Sequence, residues 1–304
     1  MKRFLFAAAS IVVLSSLAYT QNGSCWEDAQ IPEPGISEAA RTEYEKNLAL
    51  AQANFEKDPE NVENAIWLGR RTAYLSQYKE AIAIYTQAIE KHPDDARLRR
   101  HRGHRYISIR CLNDAIYDLK KAAEMVKGKP DEVEPDGLPN ARNIPTSTLQ
   151  SNIFYHLGLA YYLKGDYENA LKAYEECLKV SKNPDMFVAT QNWHYLTLMR
   201  LWKKKEAEKV LASVKDGLDV IENDSYCKLL KLYAGKIKPE TLLTEIREGE
   251  DGLQNATMGY GIGTYFLING DKDKAEAIYQ KIVETNQWAS FGYIAAESEL
   301  KRVG

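Results

Sequence analysis

The stretch HLGLAYYLKGDYENALKAYEECLKV, residues 156–180, carries the pattern that decides the fold. It places the small residues Gly158 and Ala170 and the aromatic Tyr174 at spacings that recur earlier in the chain. A fixed period of this size is typical of stacked repeat units, and Pro falls almost only between the units. Two earlier copies lie 34 residues apart: Gly69, Ala81, Tyr85 and Ala88 recur as Gly103, Ala115, Leu119 and Ala122.

The spacing has a direct physical meaning for helix pairs. Two antiparallel helices can cross closely only where side chains are small, so a glycine facing an aromatic side chain forms one contact unit. No stretch alternates polar and apolar residues for long enough to indicate a sheet. The sequence therefore predicts an all-α solenoid of antiparallel helix pairs.

Counted from Ser151, the third copy resembles the tetratricopeptide repeat (TPR) family. The resemblance lies in Leu157-Gly158, Tyr161, Gly165-Asp166-Tyr167, Ala170, Tyr174 and Cys177. It implies a right-handed superhelix. The second copy departs from the pattern, with Arg102 where Leu is usual and Cys111 in the turn. The predicted solenoid spans 37–304, with units near 62–95, 96–125, 151–184, 188–218 and 256–286, a loop insertion at 126–150 and a C-terminal cap at 287–301.

The N-terminus has the pattern of a secretory signal. Lys2 and Arg3 precede an apolar run over residues 4–18, which predicts a signal peptide at 1–18 and a flexible leader at 19–36. The run is shorter than the roughly 20 residues that a helix needs to cross a bilayer, so no stable membrane span is expected. The mature protein is expected to be exported, as a periplasmic or secreted protein.

Four cysteines in an exported chain raise the question of disulfides. Cys177 falls at a small packing position, which predicts a buried free thiol. Cys25, Cys111 and Cys227 lie far apart, and their spacing specifies no disulfide framework and no zinc site.

Charge indicates the kind of partner. The net charge of -3, with 40 basic and 43 acidic residues, argues against a nucleic-acid protein. Residues 97–110, RLRRHRGHRYISIR, are nevertheless strongly basic. In the TPR family the matching helix positions line a concave groove, and Arg side chains with Tyr neighbours suit an acidic protein or peptide. The predicted binding residues are Arg70, Tyr74, Arg97, Arg100, His104, Tyr155 and Tyr162.

The insertion at 126–150 offers a competing partner for these arginines. It carries Asp131, Glu132, Glu134 and Asp136 among prolines, and it could fold over the groove. A calcium site there is disfavoured because Pro135 interrupts the acidic pattern. No motif for catalysis, a cofactor or a metal is present, so we predict a non-enzymatic scaffold. Two alternatives stay open: a small-molecule binding protein or enzyme with a site formed by the loop and the groove, and a structural assembly protein.

The C-terminal part carries a second resemblance. Residues 226–300, in short segments, look like the end of the periplasmic TPR adaptor lipoproteins that scaffold peptidoglycan hydrolases. This resemblance implies a homo-oligomeric envelope scaffold. The sequence before Cys25 lacks the aliphatic residue of a lipid-attachment signal, so membrane tethering is not expected.

Overall fold

A computed structural model describes residues 25–33, 35–248 and 252–303. The predicted signal peptide at 1–18 lies outside the described residues. Within them the chain is an all-α solenoid of antiparallel helix pairs, as predicted. The helices are α1 (Cys25–Asp28), α2 (Glu38–Lys57), α3 (Val62–Tyr74), α4 (Tyr78–Lys91), α5 (Ala96–Ser108), α6 (Leu112–Val126), α7 (Leu149–Lys164), α8 (Tyr167–Val180), α9 (Pro184–Arg200), α10 (Lys204–Ser213), α11 (Asp224–Tyr233), α12 (Pro239–Glu248), α13 (Gly252–Ile268), α14 (Lys272–Val283) and α15 (Phe291–Val303).

Close helix contact in the first, third and last units depends on a glycine that faces a tyrosine, as the spacing predicts. A Cβ atom at Gly158 would lie 2.6 Å from a ring carbon of Tyr174. At Gly69 it would lie 2.4 Å from Tyr85, and at Gly263 it would lie 2.5 Å from Tyr279. These distances are too short for any other residue, so the glycine and the aromatic side chain fix how these three helix pairs cross.

Each helix pair turns through one residue in the left-handed conformation. Glycine occupies this position in three turns, at Gly165, Gly235 and Gly270. The other three turns use Ser76 (φ 61°), Arg110 (φ 66°) and Trp202 (φ 58°). Only glycine adopts this conformation without steric penalty, so the three exceptions carry backbone strain.

The fourth unit begins earlier than predicted, because α9 starts at Pro184 rather than near 188. Asn183 caps the helix, and the buried Asp185 in its first turn accepts backbone N–H bonds from Ile221, Glu222 and Asn223. These bonds hold the irregular segment before α11 against the solenoid.

The C-terminal helix folds back onto the solenoid rather than only closing its end. Gly292 packs directly on the backbone of α13, where an added Cβ would lie 2.2 Å from the Ala256 carbonyl oxygen. At the far end of α15, Arg302 donates to the carbonyl oxygen of Tyr162 in α7, 3.2 Å away. The helix thus reaches the third unit from the inside of the superhelix.

The described part of the predicted leader is anchored, which corrects the expectation of a flexible segment there. Cys25 forms a disulfide with Cys111, and Lys79 donates to the backbone oxygen of Glu27. Trp26 and Ile31 pack against the hydrophobic core. The sequence leaves open whether any disulfide forms, and the fold joins this pair of cysteines across 86 residues. Cys177 is a buried free thiol, as predicted.

No helix among residues 25–33, 35–248 and 252–303 is long and apolar enough to cross a membrane.

Candidate partner-binding groove

The basic groove is formed by the first helices of the first two units, α3 and α5, and a segment of the chain itself lies in it. Arg70 Nη1 donates to the backbone oxygen of Pro135 at 2.8 Å, and Arg71 Nη1 donates to that of Gly137 at 2.8 Å. Gly137 sits so close to Tyr74 that a Cβ would lie 1.6 Å from the phenol oxygen. We call residues 134–137 the loop tip. The sequence left open whether this loop covers the groove, and the structure shows that it does.

The loop tip places a carboxylate inside the groove. Glu134 forms an ion pair of 2.9 Å with Arg100, and the two side chains are only 10% and 9% exposed. Arg100 also bonds to His101 Nδ1 at 3.0 Å. Burial lowers the pKa of Arg100, and the Glu134 carboxylate opposes that shift. The pair is therefore an electrostatic anchor in a region with little water to screen it.

The ion pair between Glu134 and Arg100 does not satisfy all the hydrogen-bonding atoms of the two side chains. Glu134 Oε2 and Arg100 Nε are buried without a hydrogen-bond partner. A buried polar atom in this state costs roughly 1–3 kcal/mol. The loop tip is thus held by charge and backbone contacts but leaves hydrogen-bonding capacity unused.

The base of the loop is fixed separately from its tip. Val133 and Thr148 form an isolated antiparallel bridge, and Leu149 N donates to the backbone oxygen of Glu132 at 2.8 Å. Asp131 accepts from the Thr148 hydroxyl at 2.6 Å, at the start of α7. These bonds hold the loop beside the groove whether or not the tip is docked.

Three predicted binding residues, Arg70, Tyr74 and Arg100, contact the loop tip, and Arg97 does not. Arg97 instead pairs with Asp95 at 2.6 Å and Glu63 at 2.8 Å. It lines a cavity of about 780 Å³ together with the loop residues Lys129, Pro130 and Glu132.

The other three predicted residues are part of the interior, which corrects their assignment to an open groove. Tyr162 is fully buried and its hydroxyl lies 2.9 Å from that of Tyr260. Tyr155 accepts from Trp193 Nε1 at 2.9 Å. His104 packs between His156 and Phe291, with ring centroids 4.3 and 5.4 Å apart. The physical reason is that α13 and α15 cover this stretch of the concave surface.

Sequence reasoning missed Arg71 and His101 as groove residues. Both Arg70 and Arg71 lie over the ring of Trp67, with guanidinium carbons 4.5 and 4.9 Å from the centroid. Stacking on the indole turns both side chains toward the loop tip. The sequence Trp67-x-x-Arg70-Arg71 could have indicated that Arg71 also faces the groove, because both arginines lie within one helical turn of the indole. The family pattern assigns only Arg70 to the concave face.

Three histidines lie on α5 and α7 next to the groove. Burial lowers the pKa of His101, His104 and His156 well below the usual value, and the neighbouring arginines act in the same direction. The imidazoles are therefore neutral at physiological pH. Among the described residues, one group of possible metal ligands occurs, at Cys25, Cys111 and Asp114. Two of its sulfur atoms are joined in the disulfide, which leaves no thiolate to bind an ion.

Comparison with protein families agrees with the helix-pair geometry. Residues 151–184 and residues 67–95 each match a tetratricopeptide repeat model. The chain contains tetratricopeptide repeats. TPR proteins are generally non-catalytic scaffolds that bind protein or peptide partners. The matches do not extend to residues 226–300, so the resemblance of that part to periplasmic adaptor lipoproteins stays a prediction.

Solved structures that align with this chain include TPR proteins. YrrB, described as a TPR protein with an unusual peptide-binding site, is 14% identical, with 83% of this chain and 97% of that chain aligned and a TM-score of 0.44. A TPR protein from Parabacteroides merdae is 16% identical, with 86% and 94% aligned and a TM-score of 0.49. MamA is 16% identical, with 59% and 91% aligned and a TM-score of 0.43. No curated protein sequence matches the chain.

Proposed function

We propose that this protein is an exported, non-catalytic TPR scaffold whose basic groove binds an extended acidic segment of a protein partner. The observation that carries the proposal is the loop tip itself. It lies in the groove as a bound peptide would, and we infer that it is an internal ligand which the partner segment displaces.

The contacts of the loop tip define what the groove accepts. Arg70 and Arg71 bind backbone oxygens, which every peptide has. These contacts therefore favour an extended segment but do not select for particular side chains. Arg100 binds a carboxylate, which adds a requirement for one acidic side chain. A partner that also bonds the unused atoms of this anchor would gain hydrogen bonds that Glu134 lacks.

Export is supported by two independent features. The N-terminal sequence has the basic start and apolar run of a secretory signal. The Cys25–Cys111 disulfide suits an oxidising compartment, such as the periplasm or the extracellular space, because such bonds are rare in reducing cytosol.

The alternative of a small-molecule or enzyme site beneath the loop receives no support from the groove, because the loop tip itself fills that space.

The groove is tested with a labelled peptide of residues 131–138, DEVEPDGL, added to the full-length protein. In a Glu134→Ala background, which frees the groove, we expect binding that weakens roughly tenfold or more when Arg100→Ala is added, since the carboxylate loses its partner. Arg97→Ala is the matched control, because Arg97 lies outside the loop contact, and it should change the affinity less than about twofold.

Salt gives a second readout of the same peptide experiment. Affinity should fall between about 50 and about 500 mM salt, because salt screens the long-range attraction between the free acidic peptide and the basic groove before they meet. Equal losses from Arg97→Ala and Arg100→Ala, or an affinity independent of salt, would contradict the proposed groove.

A further inference from the structure

Trp202 stands out as a strained aromatic residue that faces solvent. It occupies the left-handed position of the α9–α10 turn at φ 58°, and its surface is 82% exposed. Gly165 and Gly270 hold the same turn position in the third and last units. An exposed indole at a site that favours glycine is disfavoured twice, by backbone sterics and by apolar surface in water.

Arg110 shows how such strain is offset elsewhere in the same fold. It holds the equivalent turn position at φ 66°, and its side chain locks the C-terminal region in place. It pairs with Glu297 at 2.8 Å and lies 3.7 Å from the ring centroid of Trp288. The indole of Trp202, by contrast, is mostly in solvent, which points to a contact outside this chain.

A cavity of about 700 Å³ opens beside Trp202. Its apolar wall includes Met199, Leu267, Ile268 and Leu300. We call this wall and Trp202 the tryptophan pocket. It shares no lining residue with the basic groove.

The charges around the tryptophan pocket favour an acidic ligand. Four cationic side chains line it, against two acidic ones. Of the acids, Glu299 is buried and paired with Arg200 at 3.1 Å and with Arg302 at 2.9 Å. Lys204, Lys272 and the acidic Glu276 are exposed at the rim, which leaves a net positive charge there.

We propose that the tryptophan pocket is a second docking site, for a partner protein segment that carries a large apolar side chain between acidic residues. The apolar side chain enters the cavity against the indole, and the acidic residues face Lys204 and Lys272. Tryptophan is enriched among the residues that dominate interface energies. Charge complementarity at the rim selects among apolar partners. This inference does not depend on the loop tip or on the groove.

The test uses the full-length protein as bait for a displayed library of random short peptides, with Trp202→Gly as the comparison. Glycine removes the indole and relaxes the turn, so the variant should fold at least as well as the wild type. We expect selected peptides with one large apolar residue flanked by Asp or Glu, and roughly tenfold weaker binding of those peptides to Trp202→Gly. A Lys204→Glu/Lys272→Glu variant should lose them as well.

Three results would overturn the proposal. Selected peptides that bind wild type and Trp202→Gly equally, or a selection that yields no such peptides, would remove the pocket as a docking site. A dimer in sedimentation that Trp202→Gly dissociates would assign the pocket to a second copy of the chain. Binding to phosphatidylglycerol vesicles that is lost in Trp202→Gly would assign Trp202 to a membrane surface.

Discussion

Replacing Asp118 by Ala should lower the free energy of unfolding by about 3–5 kcal/mol, because it leaves two largely buried arginines without their negatively charged partner. Asp118 is fully buried in α6. Its carboxylate binds Arg102 at 2.6 Å and Arg99 at 3.2 Å, and these side chains are only 12% and 15% exposed. Without the carboxylate, both guanidinium groups would have to reach solvent or stay buried and unpaired. Urea denaturation of the full-length protein followed by circular dichroism measures the loss.

The first unit supplies a matched control for this change. Ala65, Leu68 and Ile84 hold, 34 residues earlier, the positions of Arg99, Arg102 and Asp118. The triple variant Arg99→Ala/Arg102→Leu/Asp118→Ile should therefore recover most of the stability, since apolar residues often replace a buried ionic cluster without loss. If Asp118→Ala alone cost less than about 1 kcal/mol, the ion pair would not be the element that joins α5 to α6.

Removing the Cys25–Cys111 disulfide should lower the free energy of unfolding by about 2–4 kcal/mol. The bond closes a loop of 86 residues, so its loss enlarges the unfolded ensemble. It should also release α1 and the packing of Trp26 and Ile31, which depend on this attachment. The expected result for Cys25→Ser/Cys111→Ser is a lower midpoint of unfolding together with faster hydrogen exchange at residues 25–33.

Reductant provides the internal check for the disulfide. It should destabilise the wild type by the same amount as the double substitution and leave Cys25→Ser/Cys111→Ser unchanged, because Cys177 and Cys227 are free thiols. If reductant did not change the free energy of unfolding of the wild type, the disulfide would not stabilise the solenoid.

The repeat units could be predicted from the sequence because their contacts are local. Gly158 and Tyr174, or Gly69 and Tyr85, lie one helix pair apart, so the same spacing returns in each unit and the period reveals it. The Arg102–Asp118 pair obeys the same rule. The sequence contains the evidence for it, since the apolar residues Leu68 and Ile84 of the first unit are both replaced by charged residues, Arg102 and Asp118, in the second.

The path of the chain over the concave surface could not be predicted, because it depends on contacts between distant segments. Tyr162 and Tyr260 meet although they are 98 residues apart, and Arg110 meets Glu297 across 187. No period relates such pairs, so Tyr155 and Tyr162 were assigned to an open groove that α15 in fact covers. The loop tip was easier to anticipate, since its acidic residues and the basic helix α5 are complementary in charge.

The most direct test of the internal-ligand account is calorimetric titration of the DEVEPDGL peptide into wild type, Glu134→Ala and Glu132→Ala side by side. Glu132 is exposed and makes no side-chain contact with the groove arginines, so it serves as the matched control. If the loop tip occupies the groove, Glu134→Ala should bind the peptide roughly tenfold tighter than wild type, because an intramolecular competitor is present at high effective concentration. Glu132→Ala should match wild type. Equal affinity for all three proteins would contradict the account.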